Sequence, residues 1–484
     1  MKTTLKSAGR IAGMFPIMVL AGGVCFAQPA VTLSVAAGPP TTNLYVSGTG
    51  FPASTAVPIY FDVTNLAMAV TDGTGSFSGI QIRVPASALP GTNWVTAAVA
   101  GITGDAAQTP FNVQADWAQF HFAASHSGRN PYENVLSRKT ARDLGVSWSY
   151  TTGDAVTSSP AVANGVVYAG SGDGNVYALD AGTGAWLWQF TTGGKVTSSP
   201  AVVNGAVYVG SDDNNVYALN ASTGAELWQF TTGNAVENSP AVANGGVYFG
   251  SDDGNVYALD AYSGAKGWQF TTGGVVSSPA VANGVVYASS ADNKVYALAQ
   301  GSGALLWQFA TQGPVTSSPV VTNGVVYVGS FDGNLYALSA STGAKLWQFT
   351  PGEPVESCAA VVNGVIYIGA DDDNVYALNA GTGAKLWQFT TGSAVTSAPA
   401  VANGVVYASS YDSNVYALNA GTGKDLWQFT TGGSVGSSPA VANGTVYAGS
   451  DDGNIYAFSS TANPAQAPGR PDPAALRPTL GLGK

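Results

Sequence analysis

SSPAVANGVVYAGSGDGNVYALDAGTGAWLWQFTT, residues 158–192, is one copy of the unit that decides the fold of this 484-residue chain. Ser159-Pro160-Ala161-Val162 opens a first strand. Asn164-Gly165 turns the chain back, because both residue types tolerate the positive φ that a type I′ turn requires. Val166-Val167-Tyr168 is a second strand of β-branched and aromatic residues. A loop containing Asp173 leads to a third, Asn175 to Leu179, and Thr183-Gly184 leads to a fourth, Leu187-Trp188-Gln189-Phe190. One unit is therefore a four-stranded antiparallel meander.

The unit recurs, and its count fixes the architecture. Trp stands at 148, 188, 228, 268, 307, 347, 387 and 427, a spacing of forty with one step of thirty-nine. First, second and third strands each occur eight times, but nothing like Leu-Trp follows Ile455-Tyr456-Ala457-Phe458. The missing fourth strand is Val146-Ser147-Trp148, at the start of the repeats. The first strand thus completes the last unit. This predicts a ring, an all-β, eight-bladed β-propeller over 144–460. A solenoid would need distinct capping repeats instead. Composition agrees: charged residues are 9% of the chain, against about 25% in ordinary globular proteins, and 62 Gly suit many tight turns.

Residues 1–27 read as an export signal. Lys2, Lys6 and Arg10 precede an apolar run from Ile11 to Phe26, and Cys25 and Ala27 place small residues three and one before a cut. Cleavage near Ala27 removes three positive charges and no negative ones, so the formal charge moves from −11 to −14. So acidic a protein is a poor partner for nucleic acid or an anionic membrane, and no other stretch is apolar enough to anchor it in a bilayer. Cleavage leaves Cys358 as the one thiol, so no intrachain disulfide is expected.

Residues 28–114 alternate apolar and polar positions in about seven short runs parted by turn residues, which predicts a small Ig-like β-sandwich. Ser47-Gly48-Thr49-Gly50-Phe51-Pro52, with Asp72 to Phe77 and Val84-Pro85-Ala86, is similar to bacterial Ig-like modules of cell-surface and secreted proteins. Residues 115–143 hold both histidines, His121 and His126, and a basic cluster of Arg129, Arg138, Lys139 and Arg142. They are expected to form a linker packed on the propeller, with the histidines as packing residues. The Pro-, Ala- and Gly-rich 461–484 is expected to be a disordered tail.

Ala178, Asp180, Gly184 and Trp188 have the spacing of the docking motif in the pyrroloquinoline quinone (PQQ) propeller repeat, and the unit resembles that family over two thirds of the chain. Later copies often replace the Asp, as at Asn220, Ser339, Asn379 and Asn419. The resemblance implies that Trp148, Trp188, Trp228, Trp268, Trp307, Trp347, Trp387 and Trp427 dock neighbouring blades. It also implies two kinds of relative: quinoprotein dehydrogenases, and non-enzymatic scaffolds of the outer membrane. The dehydrogenases of this family carry an adjacent Cys-Cys pair and long insertions, and this chain has neither. No catalytic residue and no cofactor is therefore expected, PQQ included.

Alternate turns of a meander lie on opposite ends, so the Asn-Gly and Thr-Gly turns share one face. The other carries eight loop aspartates: Asp173, Asp213, Asp253, Asp292, Asp332, Asp372, Asp412 and Asp452. Such aspartates ordinarily bond to their own turn. Asp371-Asp372-Asp373 is the best calcium candidate, without the spacing of a known calcium loop. More informative are places where one blade departs from its siblings. Thr-Ser-Ser-Pro becomes Glu237-Asn238-Ser239-Pro240 in blade 3 and Glu356-Ser357-Cys358-Ala359 in blade 6. Glu237, Asn238, Glu356 and Cys358 are thus the candidate ligand-facing residues, expected near the mouth of the central channel. The reading is an exported, monomeric, non-enzymatic binding or scaffold protein of the periplasm or cell surface, with a protein or a glycan as partner. Its competitors are an enzyme, quinoprotein or glycan-active, and a purely structural envelope protein.

Overall fold

A computed structural model describes residues 28–99, 106–460, 469–473 and 476. The expected signal, 1–27, lies outside the described residues. The described chain is almost entirely β, and no described helix is long and apolar enough to cross a membrane.

Residues 30–98 and 106–113 form two sheets. Ala30–Leu33, Asn43–Thr49 and Phe77–Arg83 pair in one; the other has five strands, with Gly91–Ala98 between Ala106–Val113 and Ala56–Phe61. Their alternating inward residues, among them Leu44, Val46, Val57, Ile59, Val95 and Phe111, make one buried core.

Eight four-stranded antiparallel sheets follow, each a blade of a β-propeller. In blade 1 the strands are Ala161–Ala163, Val166–Gly170, Asn175–Asp180 and Trp186–Thr191. Asn164 and Gly165 sit at φ +52° and +78°, the positive values that the Asn-Gly turn requires. The last sheet is completed from the front of the chain: Leu144–Thr151 pairs with Asn454–Ser460, Trp148 opposite Ala457. The innermost strands of blades 1 and 8 then lie side by side, which closes the ring. Each pair of neighbouring blades buries its own apolar layer, such as Val207, Val209, Tyr168 and Trp188 between blades 1 and 2.

One expectation needs correction. The tail is not disordered throughout, because 469–473 lies on the sandwich. The Arg470 guanidinium stacks 5.0 Å from the centre of the Trp94 ring and donates from Nε to Gln108 Oε1 at 2.6 Å. Gln108 Nε2 donates to Pro471 O at 2.8 Å. The rest of 461–484, apart from residue 476, lies outside the described residues.

Candidate functional site

The eight tryptophans dock blades. Trp188 Nε1 donates to Ala221 O of the next blade at 3.0 Å, and Tyr168 OH donates to the same carbonyl at 3.1 Å. A Cβ on Gly224 would lie 2.6 Å from the Trp188 ring, so the indole seats directly on the next blade's turn. The pattern repeats at Trp148, Trp228, Trp268, Trp307, Trp347 and Trp387. Trp427 differs, since the blade after it lacks a Thr-Gly turn. It packs edge-on against Phe458 at 5.2 Å.

The loop aspartates are consumed by the fold. Asp213 Oδ2 accepts from Tyr217 OH and from Gly193 N in the preceding connection, both at 2.7 Å, and Oδ1 accepts from Asn215 N. Asp173, Asp253, Asp412 and Asp452 repeat this arrangement, tying each loop to the connection before it. Carboxylates engaged in this way hold their own turns in place. Among the described residues, no group of three or more His, Cys, Asp or Glu is placed to hold a metal ion.

The second aspartates behave otherwise. Asp212 Oδ1, Asp252 Oδ1 and Asp371 Oδ1 are buried atoms without a hydrogen-bond partner, as is Oδ1 of one loop aspartate, Asp292. Burial raises the Asp252 and Glu237 carboxyls above their ordinary values, and Asp212 acts on both in the same direction. Burial and then the Asp371 charge raise Glu356 likewise. The structure therefore brings Glu237 together with Asp212 and Asp252, and Glu356 with Asp371, as two separate acidic clusters on the Asp-loop face. Asn238 is half-buried, and its Nδ2 donates to Val276 O at 2.7 Å, a structural bond to the next blade.

Cys358, expected to face a ligand, is buried. It is 4% exposed, with Sγ 3.5 Å from His121 Nδ1. That histidine belongs to the feature the sequence did not reveal. Residues 117–130 form a plug inside the ring, and each innermost strand bonds to it in turn. Val162 pairs with Trp117 in both directions. Val202 N donates to Ala118 O, Val242 N to Gln119 Oε1, Val281 N to Ala124 O, and Val321 N to Ser125 O. Val361 N donates to Ser127 O, Val401 N to Gly128 O, and Asn130 Nδ2 donates to Val441 O at 2.8 Å. The inner strands are three residues long with one edge unpaired, and backbone groups so placed must be satisfied. The only sequence signal was that 117–130 breaks the repeat pattern while remaining rich in aromatic and small residues.

The two plug histidines are fully buried. His121 sets Nδ1 2.8 Å from His126 O and Nε2 2.8 Å from Pro399 O, and His126 Nδ1 lies 3.1 Å from Pro319 O. Burial pushes His121 down to about 4, and burial plus the neighbouring ring push His126 down to about 3. An unfolded histidine takes up its proton near pH 6.5, well before the folded one, so stability falls as pH drops from about 6.5 toward those values. His126→Gln keeps a donor for Pro319 O and removes one such group. Its stability is expected to fall less than that of the parent between about pH 7 and pH 5 in urea titrations. Equal losses in the two proteins would refute the assignment.

The family of the outer membrane protein assembly factor BamB matches residues 133–269, 252–358 and 332–463. Among curated proteins none matches the chain significantly. Solved structures share its fold. BamB from Moraxella catarrhalis is 21% identical, with a TM-score of 0.56 over 65% of this chain and 99% of that one. A quinohemoprotein alcohol dehydrogenase from Comamonas testosteroni is 17% identical, with a TM-score of 0.64 over 73% and 82%. The computationally designed Ika8 protein is 22% identical, with a TM-score of 0.59 over 64% and 97%. Likeness at these identities speaks for the fold alone.

Proposed function

The chain belongs to the family of the outer membrane protein assembly factor BamB, and from that membership we propose that it is an exported, monomeric binding scaffold, not an enzyme, whose acidic face receives a basic protein surface in the cell envelope. The observation that carries this reading is the division of labour among the carboxylates. In all eight loops one aspartate accepts from the tyrosine four residues on, while Asp212 Oδ1 and Asp252 Oδ1 are left unpartnered and both charges act on Glu237. Like charges held that close repel, and a cationic partner relieves the repulsion. Lys195 is the one basic group that acts on Asp212.

The test is affinity capture from envelope extract on the mature protein, beside a variant carrying Asp212→Asn, Glu237→Gln and Asp252→Asn. The parent is expected to retain a basic protein at low salt and release it at high salt, with about tenfold weaker retention by the variant. Retention is also expected to weaken on mild acidification, since raised carboxyls protonate before ordinary ones. Equal capture by both proteins, or capture indifferent to salt, would sink the proposal.

The residues do not fit a quinone site. The sequence has no adjacent cysteine pair, and its one described thiol is buried against His121. The connections between strands carry no long insertion that would build a substrate pocket. PQQ with calcium is expected to leave the melting temperature unchanged, and a saturable rise would overturn this part of the reading.

A further inference from the structure

On the face opposite the aspartate loops, a cavity of ≈ 590 Å³ opens between blades 2 and 3. The Asn204-Gly205 turn forms part of its wall, with Ala206, Asn220, Leu227, Asp260 and Tyr262 around it. Two of these residues are departures from the repeat. The second strand of blade 2 opens with Ala206, where Val166, Val285, Val325, Val365 and Val405 stand in five sibling blades and Gly246 and Thr445 in the other two. The smaller side chain leaves space at that position. The turn that contributes Tyr262 carries Gly182, Ser222, Gly301, Ser341, Gly381 and Gly421 in its other copies. Tyr262 is 94% exposed, so the fold gains nothing from burying it. One departure makes room and the other adds an aromatic platform, and they come from adjacent blades to the same cavity.

The chemistry of the wall narrows the ligand. No Lys, Arg or His lines the cavity, so nothing there neutralises an anion. Two side-chain amides both donate and accept. Asp260 Oδ1 is held by Tyr262 N, Ser263 N and Ser263 Oγ at 2.7–3.1 Å, which fixes the carboxylate. An exposed aromatic face beside convergent amide and carboxylate groups matches a ring with one apolar C–H face and a rim of hydroxyls. We propose that this cavity binds a neutral saccharide of one or two rings, stacked on Tyr262 and hydrogen-bonded by Asn204, Asn220 and Asp260. This is a second site, on the other face from the acidic clusters, and it stands whether or not those clusters take a protein.

Calorimetric titration of the full mature protein with cellobiose, chitobiose, maltose and lactose tests it. Two variants restore the residue of sibling blades, Tyr262→Gly and Ala206→Val, so neither is expected to change the melting temperature. At least one disaccharide is expected to bind the parent at millimolar concentration or below, and about tenfold more weakly to each variant. The variant neutralised at Asp212, Glu237 and Asp252 is expected to bind it as the parent does. Failure of all four sugars to bind, or parent-like affinity in either Tyr262→Gly or Ala206→Val, would overturn the assignment. Loss of sugar binding in the neutralised variant would overturn the separation of the two sites.

Discussion

Gly128→Ala is expected to destabilise the protein by about 3 kcal/mol, a large effect for one methyl group. Two costs add. Gly128 sits at φ +63°, where a residue with a Cβ is strained by about 1 kcal/mol. Its Cβ would also lie 2.3 Å from His121 Nε2 and 2.6 Å from Ala360 Cβ, inside a plug bonded to eight strands. Overpacking of that kind costs about 1–3 kcal/mol. Gly165→Ala is the control, with φ +78° but nothing within 4 Å of the new atom. It is expected to lose only the backbone share, about 1 kcal/mol. Urea midpoints for the two variants decide the matter, and equal losses would mean that the plug yields.

The second large effect is at the blade joints. Trp188→Ala is expected to cost about 4 kcal/mol, the ordinary loss for a large buried aromatic. The indole is almost wholly buried, and it donates to Ala221 O and covers Gly224. Trp427→Ala is expected to cost about half as much. Trp427 is only half-buried and meets Phe458 instead of a turn of the next blade. Denaturant titration of both variants checks the contrast. A loss at 427 equal to that at 188 would show that the girdle owes its strength to something other than the turn beneath each indole.

How much was legible in the sequence follows from periodicity. The four-stranded unit, the Asn-Gly turns, the docking tryptophans and the closing role of Trp148 all rest on local chemistry repeated eight times. Repetition averages out the noise of any single copy. The loop aspartates were legible for the same reason, and Asp213 with Tyr217 shows the turn bonding expected of them. Glu237 stood out in the sequence as a departure from its siblings, but its neighbours Asp212 and Asp252 come from different loops, a proximity that only the ring creates. Cys358 was misplaced because it takes a position that serine holds in most blades, and its environment is set by His121, 237 residues earlier. Of the plug, the sequence showed only a linker packed on the propeller with packing histidines, not that it fills the ring. Its sequence is unique in the chain, and its partners are backbone groups, which leave no trace in residue identity. Tyr262 and Ala206 were visible as departures, but nothing in a linear chain says that they share a cavity.

The plug bears on the order of assembly. Synthesis delivers 117–130 and the strand Leu144–Thr151 before the first complete blade exists. The last blade, 440–460, then finds both its missing outer strand and the donor to its inner strand already made. Each blade in between has its own bonding partner on the plug. The chain thus carries its own mandrel, a core around which a ring of nearly identical parts is wound in register. That also offers an answer to the hazard of near-identical repeats, which are free to pair out of turn. Seven blades wound on this core would leave Asn130 and the closing strand unspent, so the number of blades is counted against the plug as well as by the repeats themselves.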